Sequence, residues 1–317
     1  MVTSTIIIYA VLGSNIAGAC LDSGIVKPGD TVIDSSSGIY AYSLALACHR
    51  YDLHCYIVGS TTIDRPLVIQ LQILGATLER VEPSASLKLD QTLRVRRIRE
   101  ILAANPSYHW MRQYHDPIHY EGYRNIAKQI AEDLDHQPIA VIGGVGSGAS
   151  TGGLVTSFRD SGIDVLAVGI QPFGSVTFGS ELIHDPEVII AGIGSSIPFE
   201  NVHYNLYDEI HWLSFNTALS GSVALLKDHA LFAGLSSGAA YAVARYTASK
   251  TPERQHIFVA ADTGHRYVDA VFARHEEATL LADLSPIVVD SLSDLTMPWS
   301  SMTWNRRSYE VLENICL

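Results

Sequence analysis

The sequence predicts a two-lobed α/β fold in which parallel sheets are covered by helices, and three observations carry that prediction. The 317 residues are 47% hydrophobic, enough apolar content to bury a large core in two lobes. Short runs rich in β-branched residues alternate with longer helical runs along most of the chain, the pattern of strands joined by crossover helices. No internal repeat or low-complexity linker breaks that alternation.

The elements follow in order. Residues 5–21 carry no charge. This stretch lacks the basic flank of a secretion signal and is too short and polar to span a bilayer, so a buried helix is expected. Residues 31–34 read as a strand entering a Ser/Gly turn, with a helix over 41–49. A strand-type apolar run fills 54–58. Residues 64–74 are helical and end at Gly75, a residue suited to a C-cap. Residues 77–81 form the next strand, and 87–104 a helix whose Arg94, Arg96, Arg97 and Arg99 read as a solvated face. A helix is expected over 120–134, a buried strand over 138–142, and a glycine-rich turn leading into a helix through Phe158. Strands at 164–170, 209–215 and 257–261 and helices at 216–229 and 237–249 continue the rhythm. Past Ala278 it stops, and the tail reads as an appendage or oligomer arm. The expected division is an N-terminal lobe at 1–142, shortened at its start, a C-terminal lobe at 143–278 and an extension at 279–317.

A net charge of −12 argues against nucleic acid or an anionic membrane surface as the main partner. The four cysteines, Cys20, Cys48, Cys55 and Cys316, show no CxxC spacing. A disulfide framework is therefore not expected, and a reducing cytoplasm is.

The strongest local signal is Gly143-Gly144-Val145-Gly146-Ser147-Gly148-Ala149-Ser150, between a buried strand and a helix. Glycines let a backbone come close to a ligand, and successive N–H groups at a helix start cradle phosphate. No lysine follows, so this is not a P-loop, and its mid-chain place does not suit a dinucleotide fingerprint.

With the motifs around it, this loop makes the chain resemble the fold-type-II pyridoxal-phosphate enzymes, the cysteine synthase and tryptophan synthase β superfamily. Lys27-Pro28-Gly29-Asp30 and then Asp34-Ser35-Ser36-Ser37-Gly38 resemble the family's substrate-carboxylate loop. Arg65 through Leu74-Gly75-Ala76 is similar to the helix after the second strand. Gln113-Tyr114 with Asp116-Pro117 resembles the QFxNP segment, whose glutamine helps hold substrate. Gly146-Ser147-Gly148-Ala149-Ser150 stands for the phosphate loop. Gly192-Ile193-Gly194-Ser195-Ser196-Ile197-Pro198, Gly234-Leu235-Ser236-Ser237-Gly238-Ala239-Ala240 and Asp262-Thr263-Gly264-His265-Arg266-Tyr267 complete the series. The serine run before Gly38, with Gly174-Ser175-Val176-Thr177-Phe178-Gly179, is most similar to synthases of 2,3-diaminopropionate pathways, which join O-phosphoserine to glutamate. The resemblance implies a two-lobed fold with the active cleft between lobes, a homodimer, Ser236 at the cofactor's pyridine nitrogen, and Ser36, Ser37, Gly38, Ile39 and Gln113 around the substrate.

The pattern breaks at one residue. Counting back from Lys27-Pro28-Gly29 without gaps puts Tyr9 where the resemblance implies the Schiff-base lysine. The five lysines, at 27, 88, 128, 227 and 250, lack the family setting. An amine is needed for that covalent link, and a phenol cannot replace it. After Gly38, the family's Asn, small polar residue and Gly are here Ile39, Tyr40 and Ala41, changes expected to add bulk where cofactor and amino acid meet. These losses lead to the expectation of a diverged protein without lysine-dependent chemistry. It would be a partner or regulatory pseudoenzyme, or a cofactor-independent enzyme reusing the cleft in specialised amino-acid or natural-product metabolism. The alternative is a working pyridoxal-phosphate-dependent β-replacement synthase using O-phosphoserine or O-acetylserine. No covalently bound cofactor is expected. Non-covalent pyridoxal phosphate or another phosphate or carboxylate ligand suits the loop, and the partner is a small molecule or a protein. Tyr9, Tyr40, Gln113 and His115 are the candidate catalytic residues, the tyrosines as acid or hydrogen-bond donor. His109, His115, Asp116 and His119 crowd one segment, but Pro117 interrupts the helix that a metal-binding pair would need, and polar lining is the favoured reading.

Overall fold

The computed structural model describes residues 4–7, 20–61, 63–82, 87–185 and 192–310. The chain divides into two compact units, Tyr9–Tyr123 and Met1–Ile8 with Arg124–Leu317.

The first strand, β1 (Ser4–Ile7), pairs in parallel with a strand of the larger unit, Ser4 opposite Ile257. The helix expected from residue 5 is therefore corrected at its start. A run of threonine and isoleucines suits a pleated ladder, and periodicity alone does not separate buried strand from buried helix. Residues 8–19 of that prediction lie outside the described residues.

The smaller unit runs β2 (Thr31–Ser35), α1 (Ile39–Arg50), β3 (His54–Ser60), α2 (Arg65–Ile73), β4 (Thr77–Val81), α3 (Leu87–Ala104), β5 (His109–Trp110) and the short α4 (Ile118–Glu121). Its sheet has the order β4-β3-β2-β5, and every pairing is parallel. Alternate residues of β2 enter different cores: Val32 joins Leu44, Cys48 and Leu67, whereas Ile33 joins Ile98 and Ile101. A parallel sheet with both faces covered requires that split. Asp64 caps α2 by accepting from the Leu67 N–H at 2.8 Å, with Pro66 in the first turn. The arginine face of α3 is only partly solvated. Arg96 and Arg99 are exposed, but Arg94 is buried and Arg97 reaches Glu79 at 2.5 Å.

The larger unit adds α5 (Arg124–Asp133), β6 (Ile139–Gly144), α6 (Ala149–Asp160), β7 (Val165–Pro172), β8 (Glu209–Leu213), α7 (Phe215–His229), α8 (Leu235–Lys250), β9 (Gln255–Ala260), β10 (Ile287–Val288) and β11 (Trp299–Thr303). Among the described residues its sheet has seven strands, ordered β1-β9-β6-β7-β8-β11-β10. The helix expected over 120–134 is two, α4 and α5, with Gly122 as the C-cap of α4. Glycine is about 1 kcal/mol poorer than alanine inside a helix. The predicted boundary at 142 moves to Tyr123, because α5 buries Ala127, Ile130 and Ala131 and packs on α6 of the larger unit.

The extension at 279–317 is corrected as well. It is no appendage: β11 lies antiparallel to β8, Trp299 opposite Leu213, and its first four residues are buried. Helices α7 and α8 approach closely at Gly221 and Gly238, where added Cβ atoms would meet the backbone of the facing helix. That contact fixes where α8, and with it Ser236, begins.

Candidate functional site

The candidate residues fall into two groups, one in each unit. In the larger unit, β6 delivers the turn through Gly146 and Ser147 to Gly148, the N-cap of the twelve-residue α6, at φ +82°. A Cβ at Gly146 would lie 2.7 Å from the Gly192 carbonyl oxygen, and one at Gly148 2.6 Å from that of Asn201. Packing of the chain alone thus demands both glycines. The anion-binding character is a separate observation. The N-cap Gly148 offers no side-chain acceptor, Ser147 Oγ meets the Ala149 N–H only at 3.5 Å, the first turn holds no acidic residue, and Gly146, Ser147 and Ser150 are partly open to solvent. Uncapped N–H donors at the positive end of a helix dipole suit a phosphate. Thr151 Oγ1 donates to the Gly144 carbonyl at 3.1 Å, and Gln171 Nε2 to that of Val145 at 2.6 Å. Gln171, fully buried, was not singled out from sequence. An amide inside an otherwise apolar strand was the available signal.

Ser236 is the second residue of α8, nearly buried. Its neighbour Ser237 holds a buried Oγ without a hydrogen-bond partner among the described residues. Gly234, the N-cap, donates its N–H to the Asp262 carbonyl at 3.1 Å. Asp262 in turn pairs with Arg266 at 3.2 Å and accepts from the Tyr267 hydroxyl.

In the smaller unit the serine loop sits between β2 and α1. Ser37 Oγ accepts from the Ser60 N–H at 2.7 Å, and Ser36 Oγ from the Gly38 N–H at 3.2 Å. Gly38 is the N-cap of α1, which has no side-chain cap and no acidic residue in its first turn. Ile39, half-buried, opens that helix. A carboxylate is the ligand such a terminus favours. The Gln113 side chain donates to the Ser35 carbonyl. His115 is half-buried, and its N–H donates to the Arg112 carbonyl at 2.8 Å. His119 is buried, with Nε2 2.8 Å from the Met111 carbonyl oxygen. No group of three or more His, Cys, Asp or Glu among the described residues is arranged to hold a metal ion.

Tyr40 does not place its bulk where the motif pattern suggests. Its ring packs on the small unit's core with Ala41, Leu44 and Cys48, and stands edge-on to His119 at 5.7 Å. Its hydroxyl donates to Asp34 at 3.0 Å. Burial, with the Asp34 carboxylate beside it, holds the phenol well above its ordinary pKa, so it keeps its proton.

The family model of the pyridoxal-phosphate dependent enzymes matches residues 9–262. The chain belongs to that family. Among its relatives, N-(2-amino-2-carboxyethyl)-L-glutamate synthase of Ralstonia nicotianae is 31% identical over 255 residues, covering 80% of this chain and 74% of that protein. Cysteine synthase A of Escherichia coli is 27% identical over 276 residues, 83% of each chain. In fold, the chain is similar to the O-acetylserine-dependent cystathionine β-synthase of Helicobacter pylori (TM-score 0.74, 22% identity, covering 84% of this chain and 85% of that one). It is similar also to a cysteine synthase of Entamoeba histolytica (TM-score 0.72, 22% identity, 83% and 77%).

These findings overturn the pseudoenzyme and cofactor-independent readings, since the relatives matching most of this pyridoxal-phosphate family chain are synthases. Part of the steric argument for loss weakens with them, because the partly buried Tyr40 ring packs against the small unit's core, while Ile39 stays half-buried at the start of α1. The α6 terminus has the N–H donors that the cofactor's phosphate would need, and Ser236 and Ser237 are hydroxyl-bearing residues at the start of α8. Lys27, Lys128, Lys227 and Lys250 are all exposed, so no described side chain provides an amine there. Tyr9, the first residue of the family match, lies outside the described residues. Among the described residues no helix is long and apolar enough to cross a membrane, and Cys20, Cys48 and Cys55 are buried free thiols.

Proposed function

We propose that this protein is a pyridoxal-phosphate-dependent β-replacement synthase that holds its cofactor non-covalently and acts on an O-activated L-serine. The observation that carries the reading is the glycine turn into α6, where the N-cap Gly148 has no side-chain acceptor and Gly146, Ser147 and Ser150 are partly open to solvent, within a family match running from residue 9 to 262. Bound there, pyridoxal phosphate supplies a carbonyl for the substrate amino group and an electron-accepting ring that acidifies the α-carbon.

The chain's own residues bind and orient. The N–H groups around Ser147–Ser150 take the phosphate, and the uncharged Ser236 hydroxyl takes the ring nitrogen. The N–H groups opening α1 at Ile39, with Ser36 and Ser37, take the substrate carboxylate, and Gln113 lies in the same half-site. The name of the Ralstonia relative supports L-glutamate as acceptor and a serine-derived 2-amino-2-carboxyethyl donor, and the resemblance of the serine loop favours O-phospho-L-serine as that donor. The Cβ–O bond of the donor breaks, a C–N bond forms from the glutamate amine, phosphate leaves, and the amine gives up a proton.

The test is a visible spectrum of the purified protein titrated with pyridoxal phosphate. Product mass spectrometry accompanies it, for O-phospho-L-serine or O-acetyl-L-serine paired with L-glutamate or sulfide. A cofactor-dependent β-replacement product is expected, with glutamate preferred. No spectral change and no product from any pair would overturn the reading.

A further inference from the structure

We propose that Asp34 is the positioning residue of the substrate half-site: its carboxylate fastens the serine loop, the start of α1 and the Gln113 segment into one frame. The proposal rests on the reading above, that this half-site holds an amino-acid substrate.

Asp34 is 1% exposed at the end of β2, and both of its oxygens accept twice. Oδ1 takes the Ser35 N–H at 2.8 Å and the Trp110 indole N–H at 3.2 Å. Oδ2 takes the Tyr40 hydroxyl at 3.0 Å and the Gln113 N–H at 3.0 Å. These donors come from the last residue of β2, β5, the first turn of α1 and the segment after β5, and the Gln113 side chain adds a direct bond to the Ser35 carbonyl. Met111 N–H, bonded to the Ile33 carbonyl at 3.0 Å, extends the same junction.

Three of the four donors are N–H groups that cannot reverse their role, so the site requires an acceptor on each oxygen. Asparagine cannot meet that demand. In one orientation its NH2 faces the Gln113 N–H, and in the other it faces the Ser35 and Trp110 N–H groups. Bonds to an ionised acceptor are also the strong kind. Burying a carboxylate is nonetheless unfavourable in itself, and desolvation dominates the environment of Asp34. A group of this kind is retained where it defines one arrangement of the backbone around it. Here the arrangement includes the three segments on which the carboxylate and Gln113 sites are built.

A residue that merely glues the fold predicts a different outcome from one that positions the substrate segment. The variants are Asp34→Asn, Trp110→Phe and Tyr40→Phe in the full chain with pyridoxal phosphate added. The readouts are KM and kcat for the O-activated serine, the cofactor dissociation constant, and amide hydrogen exchange at Gly38 and Gln113. For Asp34→Asn, KM is expected to rise at least about tenfold, with kcat and cofactor binding each within about threefold. Exchange at Gln113 is expected to speed up by at least about tenfold, while strands β6 and β9 keep their protection. Trp110→Phe and Tyr40→Phe each remove one donor and are expected to raise KM about threefold. If Asp34→Asn does not fold, these two carry the comparison. Unchanged KM, or loss of kcat and cofactor binding without a rise in KM, would overturn the proposal. If the natural protein turns nothing over, the synthase reading fails, and Gln113 exchange alone then decides Asp34: unaltered exchange removes it from the role, and accelerated exchange keeps it as the organiser of these segments.

Discussion

At Gly148 a side chain would meet two obstacles, a left-handed φ of +82° and the Asn201 carbonyl oxygen 2.6 Å away. Gly148→Ala is therefore expected to lower stability by about 1–3 kcal/mol. The same substitution shifts the first N–H groups of α6, so the dissociation constant for pyridoxal phosphate is expected to rise. Chemical denaturation and a cofactor titration check the two effects separately, and unchanged cofactor binding would detach this turn from the phosphate. Tyr9 gives a second prediction at this scale. Borohydride reduction is expected to leave the cofactor dialysable in the natural chain, whereas Tyr9→Lys is expected to make part of it reducible onto the protein, read by intact mass. Tyr40 shows how the direction of a side chain depends on the helix that carries it. Its position in the loop motif suggested bulk facing the substrate, but residues 40, 44 and 48 lie on one helical stripe, and that stripe faces the core.

Among the elements, those whose hydrophobic period and caps agree are legible in the amino-acid sequence. Asp64 and Gly75 bracket α2, and β4 and α3 have the boundaries that their patterns predict. The last strand is not legible in this way. Trp299-Ser300-Ser301-Met302-Thr303 reads as polar, yet its serines are buried. Local bonds satisfy Ser300, whose Oγ donates to the Thr296 carbonyl at 2.7 Å and accepts from its N–H at 2.9 Å. The two-residue β5 is too short to show any period, and the hub at Asp34 depends on bonds to residues far along the chain, such as Trp110. Motif order names the candidate residues, whereas the partners that hold them emerge only from the fold. The strand's share in stability is testable. Trp299→Ala removes a 2% exposed indole from the sheet and leaves His211 Nδ1 without its donor, so a loss of about 3–5 kcal/mol in urea denaturation is expected. A loss below about 1 kcal/mol would make the extension dispensable.

For the whole molecule, imidazoles partly or wholly shielded from water set the response to acid. His211 and His256 in the larger unit are buried, His109 in the smaller is half-buried and His203 in the larger is more open, and desolvation lowers each of the four from the ordinary imidazole range. The folded chain therefore binds protons at these rings less readily than the unfolded chain, whose histidines titrate near about 6.5. Their contribution is fully present above that pH and is lost as pH falls below it, towards the depressed folded values. Asp34, raised by burial, acts in the opposite sense: the cost of burying its charge is relieved as pH falls through its raised value towards the ordinary carboxylate range. His211 is the most informative of the four. It is fully buried, Nδ1 accepts the Trp299 indole N–H at 3.0 Å, and Nε2 stands 3.7 Å from Glu209. A second proton would fall on Nδ1, directly against that indole N–H, so protonation and the Trp299 bond exclude each other. The melting temperature is expected to fall between about pH 7.5 and about pH 5.5, and His211→Gln, which keeps an acceptor but cannot titrate, is expected to flatten part of that slope. An unaltered slope would show that the acid sensitivity arises at the other three rings and not beside the Trp299 indole.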